Sequence, residues 1–291
     1  MSQSGPAASA AKTDAAPVCY RHPDRETYIS CQRCGRPICP DDMRPASVGF
    51  HCPECVRTDN AGMRTPRTVL GGAVRGRDST VTMTVIGLCI LGYGLQLAVP
   101  SLADRFLLVG GFLGPSGELQ GVAGGEYWRL VTAGFLHGGL LHLGVNMFSL
   151  WILGRPLEAA LGRLRFAGLY LAGLLGADAV AYLLTPPGVA VLGASGAIFA
   201  LLGALFVLGR RLGLDLRSLT GVLVINLVIS FTVPNISWQA HLGGLVSGAV
   251  VAAGLLLPAA RRRPLLAVGG YVVVVIATVA VVAYRTVSLT S

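Results

Sequence analysis

Lysine is almost missing from this 291-residue chain: Lys12 is the only one, and the net charge of +9 is carried by arginine. Charge of either sign is scarce, at 13 % of residues against about 25 % in ordinary soluble domains. An ordinary soluble protein is therefore not the first reading. No apolar run near the N-terminus has the form of a cleaved signal peptide. The first such run begins near residue 81, so it is expected to act as an uncleaved signal anchor. No amphipathic element gathers the arginines. They stand in short groups between apolar runs, the pattern of a positive-inside bias, and no nucleic-acid partner is expected. Charged residues deep in the apolar runs are few, and no repeat between halves is obvious, which argues against a transporter.

Hydrophobic residues make up 53 % of the chain and mean hydropathy is +0.65. The excess is uneven. Residues 1–80 are polar and residues 81–291 are apolar with few interruptions. The expected organisation is a disordered Ala/Ser/Pro tail at 1–17, a cysteine-rich module at 18–56 and a linker at 57–80. A membrane core follows at 81–257, with a last span and tail at 258–291. Seven apolar runs follow residue 80, at roughly 81–100, 132–154, 164–184, 193–209, 218–233, 239–257 and 265–284. Each approaches the ~20 residues a helix needs to cross a bilayer, the fourth and fifth being short. Arg64 to Arg77, Arg155 to Arg165, Arg210 to Arg217 and Arg261 to Arg263 fall on one side if there are seven spans. The N-terminus is then cytoplasmic and the C-terminus outside. The arginine bias and Ala/Gly/Val richness suggest a bacterial plasma (inner) membrane. The outer loop 101–131 carries Phe106, Leu107, Phe112 and Leu113 among Gly and Pro and is expected at the membrane interface.

Polar side chains in such helices are costly without partners, so each is a functional candidate. Ser195 opens the fourth run within Gly193-Ala-Ser-Gly196-Ala. A helix start leaves backbone N–H groups unpaired, and those donors can hold an oxyanion beside the serine. Read alone, the segment is equally a packing surface. His241 heads a helix whose Gly244 and Gly248 permit a close helix pair, the arrangement a Ser–His pair requires. His142 and Asn146 are four apart and share one helix face. They can donate to a developing negative charge or bond a neighbouring helix. Ser195 lies 15 residues before Arg210, His142 13 before Arg155 and His241 17 before Pro258. At 1.5 Å per residue these are depths of about 20–25 Å, one layer in the outer third of the bilayer. A cavity opening outward explains that layer better than packing. Asp178 stands at a similar depth and is read either as paired elsewhere in the bundle or as orienting a histidine. Tyr182, Asn226 and Asn235 are read as structural or interfacial.

Six of the seven cysteines lie within residues 19–55, while Cys89 is an inert helix residue. The pairs Cys19/His22, Cys31/Cys34, Cys39/Asp42 and Cys52/Cys55 share an x2 spacing. They provide eight ligands, enough for two tetrahedral zinc ions. The expected cytoplasmic side is reducing, which argues against disulfides. His51 is an alternative ligand to Asp42.

In combination, GASGA with Ser195, AHLGG with His241, HGGLLHLGVN with His142 and Asn146, and Trp128-Arg129 in the outer loop resemble the rhomboid family of intramembrane proteases. The likeness covers about residues 81–257. It implies an all-α polytopic membrane protein: a six-helix rhomboid bundle plus one C-terminal transmembrane helix. It also implies a serine endopeptidase in which His241 takes the proton from Ser195, with no cofactor for catalysis. His142, Asn146 and the Ser195 N–H would hold the oxyanion, and Phe199 would stack on His241 where many relatives have tyrosine. Gly193, Gly196 and Gly244 would support the site, and Trp128 and Arg129 would anchor the outer loop. Substrates would be single-pass transmembrane proteins. The cysteine arm resembles a B-box-type zinc finger, in which pairs one and three share a metal, as do two and four; Asp42 stands where cysteine is common. A cytoplasmic protein partner is implied for this module. The alternative is a catalytically silent rhomboid-like scaffold that binds transmembrane helices.

Overall fold

A computed structural model describes residues 16–62, 68, 79–99, 101–234, 236–257 and 267–291. Residues 1–15 of the expected tail, most of the linker, Asn235 and the arginines at 261–263 lie outside the described residues. The chain divides into two compact units, Met1–Thr65 and Pro66–Ser291.

The first unit is small and poor in regular structure. Two short antiparallel strands, β1 (Arg44–Pro45) and β2 (Phe50–His51), precede helix α1 (Pro53–Gly62). Its apolar centre is Ile38 with Cys31 and Cys52, against which Tyr20, Met43 and Phe50 pack. So small a core cannot hold a fold by burial alone. The helix continues past residue 56, where the sequence suggested the module would end, because nothing in Val56-Arg-Thr-Asp-Asn breaks it.

The second unit is a helical bundle. Among the described residues, five helices are long and apolar enough to cross a membrane: α2 (Thr80–Ala98), α6 (Arg163–Leu184), α7 (Ser195–Leu212), α9 (Trp238–Leu256) and α10 (Gly269–Thr290). Helix α8 (Leu216–Thr232) is shorter and apolar, and Asp215 caps it by accepting from the Arg217 and Ser218 N–H groups. The run expected as one helix over 132–154 is instead broken. A first piece over Arg129–Phe135, which begins with α4 (Arg129–Thr132), meets α5 (Leu140–Leu161) at 95°. The break falls on His137-Gly-Gly, where an extended Leu136 ends the first piece and two glycines disfavour its continuation. The last run also shifts: α10 passes Arg285 and ends at Thr290.

Before the break, residues 101–131 form a folded segment. It holds α3 (Ser101–Phe106) and a hairpin of β3 (Phe112–Leu113) with β4 (Leu119–Gln120). A bridge from Leu108 to Val191 ties it to the segment before α7. Leu108 and Val122 are buried, while Leu113, Tyr127 and Trp128 point outward. At the opposite end, buried Glu158 of α5 accepts from the Val81 and Thr82 N–H groups and the Thr82 hydroxyl. The carboxylate satisfies the open N-terminus of α2 and complements its dipole. Helix α10 is fastened to α6 by Tyr182–Thr286 and by the Tyr271 hydroxyl on the Arg165 carbonyl.

The tightest contact joins α7 to α9. A Cβ on Gly244 would overlap the carbonyl oxygen of Gly196, and one on Gly248 that of Ala200. Backbone touches backbone there, so neither position has room for a side chain. Gly248→Ala is expected to force the helices apart and cost about 1–3 kcal/mol. Thermal unfolding of the purified protein would show a lower midpoint; an unchanged midpoint would contradict this packing.

Candidate active site

Ser195 is the first residue of α7 and His241 lies in the first turn of α9. The glycine contact brings these two helix ends together. Ser195 Oγ lies 2.8 Å from His241 Nε2, a hydrogen bond of ordinary length. Phe199, one turn after Ser195, stacks on the imidazole with centroids 4.0 Å apart and planes 10° from parallel. The ring therefore has one face covered and one edge on the serine.

Gly193 shapes the approach to α7. Its φ of +124° is a conformation that side chains rarely adopt, and a Cβ there would lie 2.8 Å from His142 Cε1. Its N–H is held by the Ala133 carbonyl. Gly196 packs on Ala177, where a Cβ would approach to 2.6 Å.

The histidine of α5 has a readable tautomer. His142 Nδ1 accepts from the Gly138 N–H at 3.3 Å. Nδ1 is therefore bare, and a neutral ring carries its proton on Nε2. That Nε2 faces Gly193 beside Ser195. Buried Asn146 uses one amide hydrogen on the His142 carbonyl, and an amide nitrogen has a second. The N–H groups of the first turn of α7, Ser195 among them, lie beyond the reach of intrahelical bonds. The His142 ring of α5 and the open N–H groups of α7 thus lie beside the serine. Ser195 and His142 are half-buried while Asn146 and His241 are buried, so the serine is reachable from outside the bundle.

Arg129 is buried at 2 % exposure among backbone carbonyls. It donates to the Asp104 and Leu107 carbonyls and to the Glu126 carboxylate, which also accepts from the Gly121 N–H. Trp128 is half exposed, and its Nε1–H reaches the Arg105 carbonyl. Both hold the 101–131 segment and neither touches the serine.

A family model described as the Rhomboid domain matches residues 124–258. "Rhomboid protease GluP" of Bacillus subtilis is 39 % identical over 142 residues, 46 % of this chain and 27 % of that protein. "Putative rhomboid protease YdcA" of the same organism is 36 % identical over 143 residues, 47 % of this chain and 71 % of that protein. The chain belongs to the rhomboid family. "Inactive RHOMBOID-like protein 8" of Arabidopsis thaliana is also similar, 33 % identical over 131 residues, 42 % of this chain and 36 % of that protein. The matched stretch spans only 27 % to 50 % of the length of three of the relatives.

The sequence did not point to two residues that hold this rhomboid site. Gln96 of α2 bonds the His137 backbone through both its oxygen and its nitrogen. Ser230 of α8 sits 2.6 Å from His241 Nδ1. The second corrects the reading of Asp178 as an orienting group, because the histidine edge it would bond is already occupied. Asp178 is buried on α6, and its Oδ2 has no hydrogen-bond partner among the described residues.

The N-terminal unit lies outside the rhomboid match. Its ligand atoms gather into two sets, Cys19/His22/Cys39/Asp42 and Cys31/Cys34/Cys52/Cys55, each with all atoms within 4.8 Å of one another. Cys34 and Cys52 sulfurs are 3.7 Å apart, close to the edge of a ZnS₄ tetrahedron with ~2.3 Å bonds and far beyond a disulfide. His22 Nδ1 and Asp42 Oδ2 are 3.0 Å apart. His51 is paired with Arg44 in the hairpin and belongs to neither set. Burial raises the Cys31 thiol pKa, but N–H donors from Cys34, Cys52 and Arg33 outweigh it and bring it down to about 6. Cys55, bonded to Cys52 and partly desolvated, is pushed up to about 12. Both sets have the donors and spacing that suit a divalent cation.

Arg129→Ala is expected to strand two buried carbonyls and a carboxylate, costing about 3 kcal/mol. Limited proteolysis should then cut within 101–131 faster than in the unaltered protein; equal rates would refute the anchoring role.

Proposed function

We propose that this rhomboid is an intramembrane serine endopeptidase working by a Ser195–His241 dyad. The observation that carries the reading is the 2.8 Å contact between nucleophile and base at the adjoining ends of two locked helices. His241 Nε2 takes the Ser195 proton as Oγ attacks a peptide carbonyl. The resulting oxyanion is met by the His142 Nε2–H, the second Asn146 amide hydrogen and the Ser195 N–H. His241 then returns the proton to the leaving amine. Water, activated by the same histidine, releases the acyl group from Ser195. Phe199 holds the imidazole plane by stacking and supplies no proton. No metal or cofactor takes part.

The substrates are single-pass transmembrane proteins cut near the outer membrane edge, in a bacterial plasma membrane. The N-terminus faces the cytoplasm. A substrate backbone must unwind to reach Ser195, so helix-breaking and small residues favour cleavage. An inactive relative supports the rival reading as a helix-binding scaffold. Against it, this chain keeps the serine and the histidine within hydrogen-bond distance, with the His142 ring beside Gly193. Two structural zinc ions are assigned to the N-terminal unit, which serves to bind a cytoplasmic protein partner.

The protease reading is tested by cleavage of transmembrane substrates in liposomes. Ser195→Ala and His241→Ala should each lower the rate at least about 10³-fold. Asn146→Ala should lower kcat by about 10²-fold with KM little changed. A well-folded protein that cuts none of several substrates, or a Ser195→Ala variant that still cuts, overturns it. Elemental analysis tests the metal assignment. The chain should carry two zinc ions, Cys34→Ser one, and Asp42→Ala should release one to chelator first. A chain that purifies folded and metal-free would contradict it.

A further inference from the structure

Helix α8 is loosely attached to the bundle: among its described residues Ser230 alone is buried, at 2 % exposure. A helix that buries one residue ordinarily buries an apolar one. This one buries a hydroxyl, and the hydroxyl meets the dyad. Ser230 Oγ lies 2.6 Å from His241 Nδ1 and 2.6 Å from the Asn226 carbonyl oxygen one turn earlier.

The chemistry of those two contacts is directional. A hydroxyl has one hydrogen and two lone pairs. The Asn226 carbonyl can only accept, so the Ser230 hydrogen goes to it. Toward His241 the oxygen then has only a lone pair to offer, and Nδ1 must be the protonated nitrogen. Neutral imidazole carries one hydrogen, so Nε2 is bare on the side of Ser195. That is the tautomer a general base needs. The opposite tautomer would aim an N–H at the Ser195 oxygen and leave Ser230 without its second partner.

We propose that Ser230 is a positioning residue of the dyad. It fixes His241 as the Nδ1–H tautomer through the relay Asn226 C=O, Ser230 O–H, His241 and Ser195. It fills the place that a carboxylate holds in a triad, with a neutral group that accepts the Nδ1–H and needs no buried charge. As His241 becomes imidazolium, the Nδ1–H to Ser230 bond strengthens, so the relay favours the charged ring formed during attack. No proton passes to Ser230, because its own hydrogen stays on the Asn226 carbonyl.

The simpler alternative is a serine that merely back-bonds its own helix. Thr220, Asn226 and Thr232 do this on α8, bonding the carbonyl four residues earlier. The inference rests on the protease reading for its kinetic arm but not for its spectroscopic arm. In full-length protein labelled with ¹⁵N-histidine, the His241 signals are assigned by their loss in His241→Ala. Wild type should show a protonated Nδ1 and a bare Nε2. Ser230→Ala should mix the two tautomers, Ser230→Thr should restore the wild-type pattern, and this needs no substrate. With a substrate that wild type cuts, Ser230→Ala should lower kcat about tenfold, the worth of one hydrogen bond, with KM near wild type. Ser230→Thr should recover most of it. Wild-type nitrogen shifts and kcat in Ser230→Ala would overturn the inference while leaving the protease reading intact. A raised KM with unchanged kcat would assign Ser230 to helix placement instead. Inert wild type with the stated nitrogen pattern would remove the protease reading and keep the tautomer assignment.

Discussion

Between helices in lipid there is no water to expel, so association depends on close packing and on hydrogen bonds between side chains. The contact of α7 with α9 is built for that condition. Gly244 and Gly248 set one backbone against the other, and the two helix ends then stand close enough for a serine on one and a histidine on the other to bond at 2.8 Å. The remaining parts of the site are placed by the same contact. Phe199 reaches the imidazole because it is one turn from Ser195. The open N–H groups of α7 lie beside the serine because the helix starts there.

Every hydrogen bond near the serine decides what the next group can do. The Gly138 N–H makes His142 a donor at Nε2, and the Asn226 carbonyl makes Ser230 an acceptor toward His241. In the proposed mechanism one histidine gives a hydrogen bond and the other takes a proton. These are opposite roles for the same side chain, assigned by backbone groups. His137 shows the contrast. It is buried with neither ring nitrogen bonded among the described residues, and its place in the site comes from its backbone, held by Gln96. Asp178 is similarly unpartnered at Oδ2, and the mechanism leaves it unused.

Much of this was legible beforehand, because the helix-scale signals are long and redundant. Runs of about twenty apolar residues, arginines between them and glycines at four-residue spacing each restate the same architecture. The gathering of the x2-spaced Cys, His and Asp side chains into two sets was legible for a similar reason, since a metal site needs those residue types in that rhythm. Local departures were harder. The 95° turn at His137-Gly-Gly interrupts an apolar run without interrupting its hydropathy. Ser230 looks like any small hydroxyl in a membrane helix, and its sequence separation from His241 carries no periodic signal. Its role depends on where α8 lies against α9, which no local pattern records. Gln96 is hidden in the same way. The lesson of the Asp178 reading is that depth alone does not make two residues neighbours.

The central claim is that Ser195 is a nucleophile activated by His241. An alkyl fluorophosphonate tests it without knowledge of any substrate, because the probe reacts with an activated serine and stays attached. After incubation in detergent or liposomes, mass mapping of the full-length protein should place one adduct on the peptide carrying Ser195. Labelling should be abolished by Ser195→Ala and reduced at least about 10²-fold by His241→Ala. No adduct on a folded protein, or an adduct on Ser195 that forms equally fast without the histidine, would contradict the account.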